Sequence, residues 1–214
     1  MKTLTIDVVS DVVCPWCYVG KRRLEAALAL WAVEHPEITP VVQWHTFQLN
    51  PDMAPEGIAR EDYVRAKFGD RASSIYDRVA GVGAEVGIDF AFDRIARQPN
   101  TVVPHSLIAA CPPGEAQDRM VETLFQGYFL EGRDLTDASH LLDLAERAGL
   151  AREAAEQVLQ DSALHSQTID SDQAAREMGI TGVPFFIFNR QVGLSGAHES
   201  ETLLRAMNEA LAAA

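Results

Sequence analysis

The chain has 214 residues, 47% of them hydrophobic and 23% charged, with a formal net charge of −13; this is the profile of a soluble globular protein with enough chain for a sizeable core. The acidic balance argues against nucleic acid or an anionic membrane as partner, because both attract clustered Lys and Arg. Asp7 cuts the first apolar run short of a signal-peptide core and no long apolar stretch follows, so a cytoplasmic location without a membrane span is expected.

In the opening segment Leu4, Ile6 and Val8 alternate with Thr3, Thr5 and Asp7, which predicts a strand over 3–9. After Cys14-Pro15-Trp16-Cys17, Leu24, Ala27, Leu28 and Trp31 recur at helical spacing until Pro36 forbids continuation. Strand formers occupy 41–47, and Asn50-Pro51 marks a turn. A strand, helix and strand of this size close as a right-handed crossover with parallel strands, which carries the cysteine pair to the C-terminal end of the first strand.

From Pro51 to Met178 Ala, Glu, Arg, Asp and Leu dominate and strand signals vanish. Helices are expected over 61–68, 74–86 and 115–130, from the N-cap residues Thr136-Asp137 to a stop at Gly149, and over 151–178 in one piece or broken. Strand texture returns at Phe185-Phe186-Ile187-Phe188 after Gly182-Val183-Pro184, and Asn189-Arg190 turns the chain into 191–195. A last helix carries Leu203, Leu204, Met207 and Leu211 on one stripe. The order βαβ, helices, ββα predicts an α/β fold in which residues 1–50 and 179–214 share one sheet and 51–178 form an inserted helical subdomain.

There are three cysteines, Cys14, Cys17 and Cys111, too few and too unevenly placed for a structural disulfide framework. Cys14 and Cys17, at a strand-to-helix junction, lie at i and i+3 on one helix face, close enough for a disulfide. Pro15 suits the first helical position. Unpaired N–H groups and the positive end of the helix dipole there favour a thiolate on Cys14 and so predict a lowered thiol pKa. Cys17, one turn in, is expected to be the more buried thiol and to resolve a mixed disulfide on Cys14. Lys21, Arg22 and Arg23 add a minor, screened positive charge. Half a zinc site, completed by His45, His105 or His198, and two unrelated core cysteines are the competing readings; zinc wants paired ligand motifs that this sequence lacks, so no metal is expected.

The segment Ser10-Asp11-Val12-Val13-Cys14-Pro15-Trp16-Cys17-Tyr18-Val19-Gly20 resembles the active-site stretch of DsbA-like thiol oxidoreductases, in particular the FrnE-like branch. The likeness continues through Phe47-Gln48-Leu49-Asn50-Pro51-Asp52-Met53, Asn100-Thr101 with His105, Tyr128-Phe129-Leu130-Glu131-Gly132 and Thr181-Gly182-Val183-Pro184, nearly the whole chain in order. The resemblance implies a thioredoxin fold and a cis Pro184 facing the cysteines, with the backbone of Val183 open to an extended substrate segment. Trp16, between the cysteines beside Pro15, would touch substrate. Asn100 and Thr101 either line a substrate cleft or cap the helix that follows. His198 stands where relatives often carry Gln and is either a helix-start residue or a proton-transfer group, as His105 also could be. Cys111 reads as a spectator thiol.

The function expected is thiol–disulfide exchange on a protein or small-molecule disulfide, with Cys14 and Cys17 catalytic and no cofactor required. Glutathione is a candidate co-substrate, and a glutathione or thioredoxin-type thiol a candidate electron donor. The alternatives are a glutathione-dependent isomerase or transferase of the 2-hydroxychromene-2-carboxylate or kappa class, and a redox-regulated binding protein or holdase. Two thiols favour the first, because the glutathione-activating relatives typically carry Ser without a resolving thiol.

Overall fold

The computed structural model describes residues 4–213, so Thr3 of the predicted first strand lies outside it. The elements in order are β1 (Thr5–Ser10), α1 (Pro15–Glu34), β2 (Val41–Thr46), β3 (Ile58–Ala59), α2 (Arg60–Phe68), α3 (Ala72–Glu85), β4 (Arg97–Gln98), α4 (Val102–Ala109), α5 (Glu115–Phe129), α6 (Ala138–Arg147), α7 (Arg152–Gln160), α8 (Ser162–Glu177), β5 (Phe185–Phe188), β6 (Val192–Ser195) and α9 (Ser200–Ala212). The main sheet runs β2-β1-β5-β6, with β2 parallel to β1 and the other pairs antiparallel. It is the α/β thioredoxin arrangement that the order of elements predicts. Among the described residues no helix is long and apolar enough to cross a membrane.

Strand alternation sorts the sheet into two faces. Leu4, Ile6, Val8, Trp44, Phe186 and Phe188 share one large core with Leu24, Ala27 and Trp31 of α1 and Leu203 and Met207 of α9. Val9 and Phe47 pack on the other side with Ala175 and Ile180. Asn189 and Arg190 both take positive φ, 49° and 57°, the backbone of a two-residue hairpin turn whose twist matches the flanking strands.

The 151–178 segment breaks at Asp161, whose carboxylate accepts from the N–H groups of Ala163 and Leu164 and so starts α8 afresh. Asp137 caps α6 in the same way. The β3–β4 ladder joins only two residues from each strand, too short to leave a period in the sequence, which is why that region reads as helical throughout.

Helices α1 and α5 are clamped by charge. Lys21, only 2% exposed, reaches Asp118 and Glu122 at 3.1 Å and also pairs with Glu25. Burial pulls its ammonium down, but Asp118, Glu122 and Glu25 outweigh that and hold it above its ordinary value. Arg22 pairs with Glu25 and Glu122, Arg23 with Glu199. The positive charge expected near the cysteines is therefore already matched by carboxylates.

Gly20 allows α1 to lie against the strand entering β5: a Cβ there would sit 2.9 Å from Pro184 Cγ and 3.2 Å from Phe186 Cζ. Neither ring can fold away. Gly20→Ala is expected to lower stability by about 1–3 kcal/mol through overpacking, read as a reduced urea midpoint at unchanged slope.

Candidate active site

β1 stops at Ser10 because the next backbone groups turn inward. The Asp11 carbonyl accepts from the Cys14 N–H at 3.0 Å, and the Cys14 carbonyl then accepts from Cys17 N–H at 3.0 Å and Tyr18 N–H at 3.4 Å, opening α1. Cys14 is the N-cap, with extended backbone at φ −94° and ψ 111°, and Pro15 occupies the first turn. Cys14 is 4% exposed and Cys17 1%; neither is in a disulfide. The Cys14 sulfur donates to the carbonyl of Val183 at 3.7 Å, and the Val183–Pro184 peptide is cis. Pro15, Trp16 and Val183 are half-buried around the thiols.

Burial pushes the Cys17 thiol well above its ordinary pKa, and its hydrogen bond and charge coupling to Cys14 push the same way; the Ser10 hydroxyl and the Asp11 backbone oppose it. Cys17 is thus held as a thiol, the form suited to waiting behind a more accessible partner.

Beneath the turn sits Asp11, fully buried. One oxygen accepts from the Leu49 N–H at 2.8 Å; the other meets the Val13 N–H at 3.4 Å and His105 Nε2 at 3.3 Å. Leu49 packs with Val183 against the same small cluster of Val9, Phe47 and Ile180. The carboxylate thereby ties the β1–α1 turn to the strap after β2 and to α4.

The sequence-predicted residues divide. Cys14, Cys17, Pro15, Trp16, Val183 and Pro184 come together. His105 does not join them on the open side: it is 3% exposed and directed at Asp11. Asn100 donates to the Met53 carbonyl at 2.7 Å and accepts from the Val102 N–H at 2.9 Å, so it starts α4; it also borders two adjoining cavities of about 450 and 680 Å³. Thr101 is buried at the N-cap of α4 and makes no side-chain capping bond. His198 is exposed and its ring pairs with the Ser195 carbonyl at 2.8 Å, closing the loop before α9 rather than meeting a sulfur. The Cys111 thiol donates to the Leu107 carbonyl at 3.3 Å, and burial pushes it up despite Arg119. Among the described residues no group of three or more His, Cys, Asp or Glu is placed to hold a metal ion.

Sequence reasoning passed over Asp11, Ser10 and Leu49 as working residues. The signal for Asp11 was legible: a carboxylate set between the apolar Val8-Val9 and Val12-Val13 pairs must be paired if it is buried.

A model of the DSBA-like thioredoxin domain matches residues 5–208. An uncharacterized protein of Bacillus subtilis (strain 168), YwbO, is 26% identical over 213 residues, 97% of each chain. A crystal structure described as a probable DsbA oxidoreductase from Streptomyces coelicolor superimposes with a TM-score of 0.85 at 28% identity, over 98% of this chain and 90% of that one. A 2-hydroxychromene-2-carboxylate isomerase structure shares the fold at a TM-score of 0.71 and 16% identity, over 96% and 95% of the two chains.

Removing the carboxylate in Asp11→Ala strands the Leu49 N–H and the ring of His105. At about 1–3 kcal/mol for each unmet buried group, the loss is expected at about 2–5 kcal/mol, measured by chemical denaturation.

Proposed function

We propose, for a chain that belongs to the DSBA-like thioredoxin domain family, that Cys14 and Cys17 exchange disulfides with a protein or small-molecule substrate. The observation that carries this reading is the pairing of an N-cap thiol, at the opening of α1 beside the Val183 carbonyl, with a second thiol one turn behind it and fully enclosed. The N-terminal N–H groups and dipole of α1 favour negative charge at the position of the first sulfur. As thiolate, Cys14 attacks one sulfur of the substrate disulfide; a new S–S bond forms and the other substrate sulfur leaves as thiolate. Cys17 gives up its proton and attacks the Cys14 sulfur, the intramolecular disulfide forms, and the second substrate thiolate departs. The substrate gains two electrons and the dithiol loses them.

An extended substrate segment pairs with the Val183 backbone as an added strand, and Trp16 and Pro15 supply apolar contact. A glutathione or thioredoxin-type thiol returns the pair to the dithiol state. Three free cysteines accord with a reducing compartment, so the setting is cytoplasmic and the direction reductive or isomerising. The protein uses no bound cofactor; glutathione enters, if at all, as a co-substrate.

A second reading has one observation in its favour. The two cavities that meet at Asn100, with Val102 and Ile169 between them, offer room for an organic substrate beside the thiols, as glutathione-dependent isomerisation would need. Cys17 weighs against it, because activation of glutathione requires no resolving thiol.

Reduction of insulin disulfides, with dithiothreitol or glutathione as donor, separates the two. Wild type is expected to turn over, Cys14→Ser to be inactive, and Cys17→Ser to accumulate a mixed disulfide visible by intact mass. A wild type that binds glutathione without reducing any disulfide would favour the isomerase reading.

A further inference from the structure

Cys17 raises a question that the exchange mechanism leaves open, namely where its proton goes. It is 1% exposed, and in a mixed disulfide the substrate covers Cys14 in front of it. The nearest carboxylate is already engaged: both oxygens of Asp11 hold partners, the Leu49 and Val13 N–H groups and His105. The remaining polar neighbour of the sulfur is the Ser10 hydroxyl, opposing the effect of burial there, and that hydroxyl makes no hydrogen bond elsewhere among the described residues.

Ser10 is also the point at which a second cavity approaches the site from behind. β2 is an edge strand, braced from outside by Gly114, whose N–H meets the Val42 carbonyl, by Gln117, which accepts from the Trp44 N–H, and by Asp172, which accepts from the Gln48 N–H. Between these braces lies a cavity of about 290 Å³ bordered by Ser10, Trp44, Thr46, His105 and Thr168, and reaching exposed Gln43 and Gln167 at its mouth. That is room for several waters at about 30 Å³ each. The indole N–H of Trp44 is buried without a protein partner, a donor that water there would satisfy. No Lys, Arg, Asp or Glu lines the cavity. The titratable groups facing Ser10 and Cys17 from the surrounding elements are Cys14 of the turn, Asp11 below it, His105 of α4, His45 of β2 with its partner Asp7, and Cys111 after α4.

We propose that Ser10 is a catalytic proton relay, passing the proton of Cys17 to water in the cavity behind β2 and on to His105 or bulk solvent. The inference rests on the dithiol reading. As the Cys17 S–H bond breaks, Ser10 takes that proton on its oxygen and releases its own to the cavity. The Cys17 thiolate then attacks the Cys14 sulfur, and the substrate sulfur leaves with the electron pair of the broken S–S bond. His105, fixed by Asp11, is a positioning residue and a proton store, not a group that touches sulfur.

The test uses the reduced full-length protein mixed with one equivalent of 5,5′-dithiobis(2-nitrobenzoate) in stopped flow. Attack by Cys14 releases a first yellow thionitrobenzoate, and attack by Cys17 on the mixed disulfide releases a second. Ser10→Ala is expected to leave the first phase unchanged and to slow the second by about tenfold near neutral pH, less than the hundredfold or more of a full general acid or base. The deficit should close as pH rises and Cys17 ionises unaided. Ser10→Thr, which keeps the hydroxyl, should restore the rate. In wild type the second phase should slow more in heavy water than the first, a readout that needs no variant. A second phase insensitive to Ser10→Ala, or slowed equally at every pH, overturns the relay alone. Absence of any second release from wild type overturns the dithiol reading with it.

Discussion

One buried carboxylate holds the working end of this molecule in shape. Asp11 is removed from water entirely and takes hydrogen bonds from the turn that leads into α1, from the strap that follows β2, and from a histidine on α4. An ionised group in that position is tolerable only because these donors replace its hydration. The same requirement locks three otherwise independent segments to one point. Since the Asp11 carbonyl also receives the Cys14 N–H, the position of the first sulfur follows from where the carboxylate is satisfied.

The second constraint is the junction between α1 and α5. Tyr18 stacks on Phe125 with ring centroids 4.9 Å apart and donates to Glu122 at 3.0 Å, while Lys21 spends its charge on Glu25, Asp118 and Glu122. The helix that presents the cysteines is therefore packed against the sheet on one side and pinned to the helical block on the other. A reacting pair on a rigid element keeps its geometry through a cycle of bond making and breaking, and the cavities that border Asn100 lie where the helical block meets the strap after β2.

Much of this was legible in the chain. Alternation located β1, β2 and β5, and the cap and stop residues located α6 and the start of α1, because each feature repeats or punctuates over several residues. The Cys-Pro-Trp-Cys spacing at a strand end carried the chemistry without help from the fold. What escaped was whatever depends on a partner distant in sequence. The β3–β4 contact joins Ile58 to Gln98 and Ala59 to Arg97, too brief for a period. The role of Asp11 depends on Leu49 and His105, 38 and 94 positions away. Lys21 looked like a source of positive potential for the thiols until its three carboxylates, two of them on α5, were in place. His105 carries the same lesson in reverse: a histidine placed with the substrate-facing residues faces inward, because a buried carboxylate needs its ring.

The contact between the Cys14 sulfur and the Val183 carbonyl has a consequence for the resting state. That carbonyl is the acceptor a strand laid along the site would use, and in the reduced protein the thiol's own hydrogen already points at it across 3.7 Å. The two donors compete for one oxygen. A Cys14 without its proton, whether thiolate or bonded to another sulfur, releases the acceptor, and by linkage a guest that claims the acceptor makes that proton easier to lose. Occupancy and ionisation thus become two readings of the same hydrogen bond.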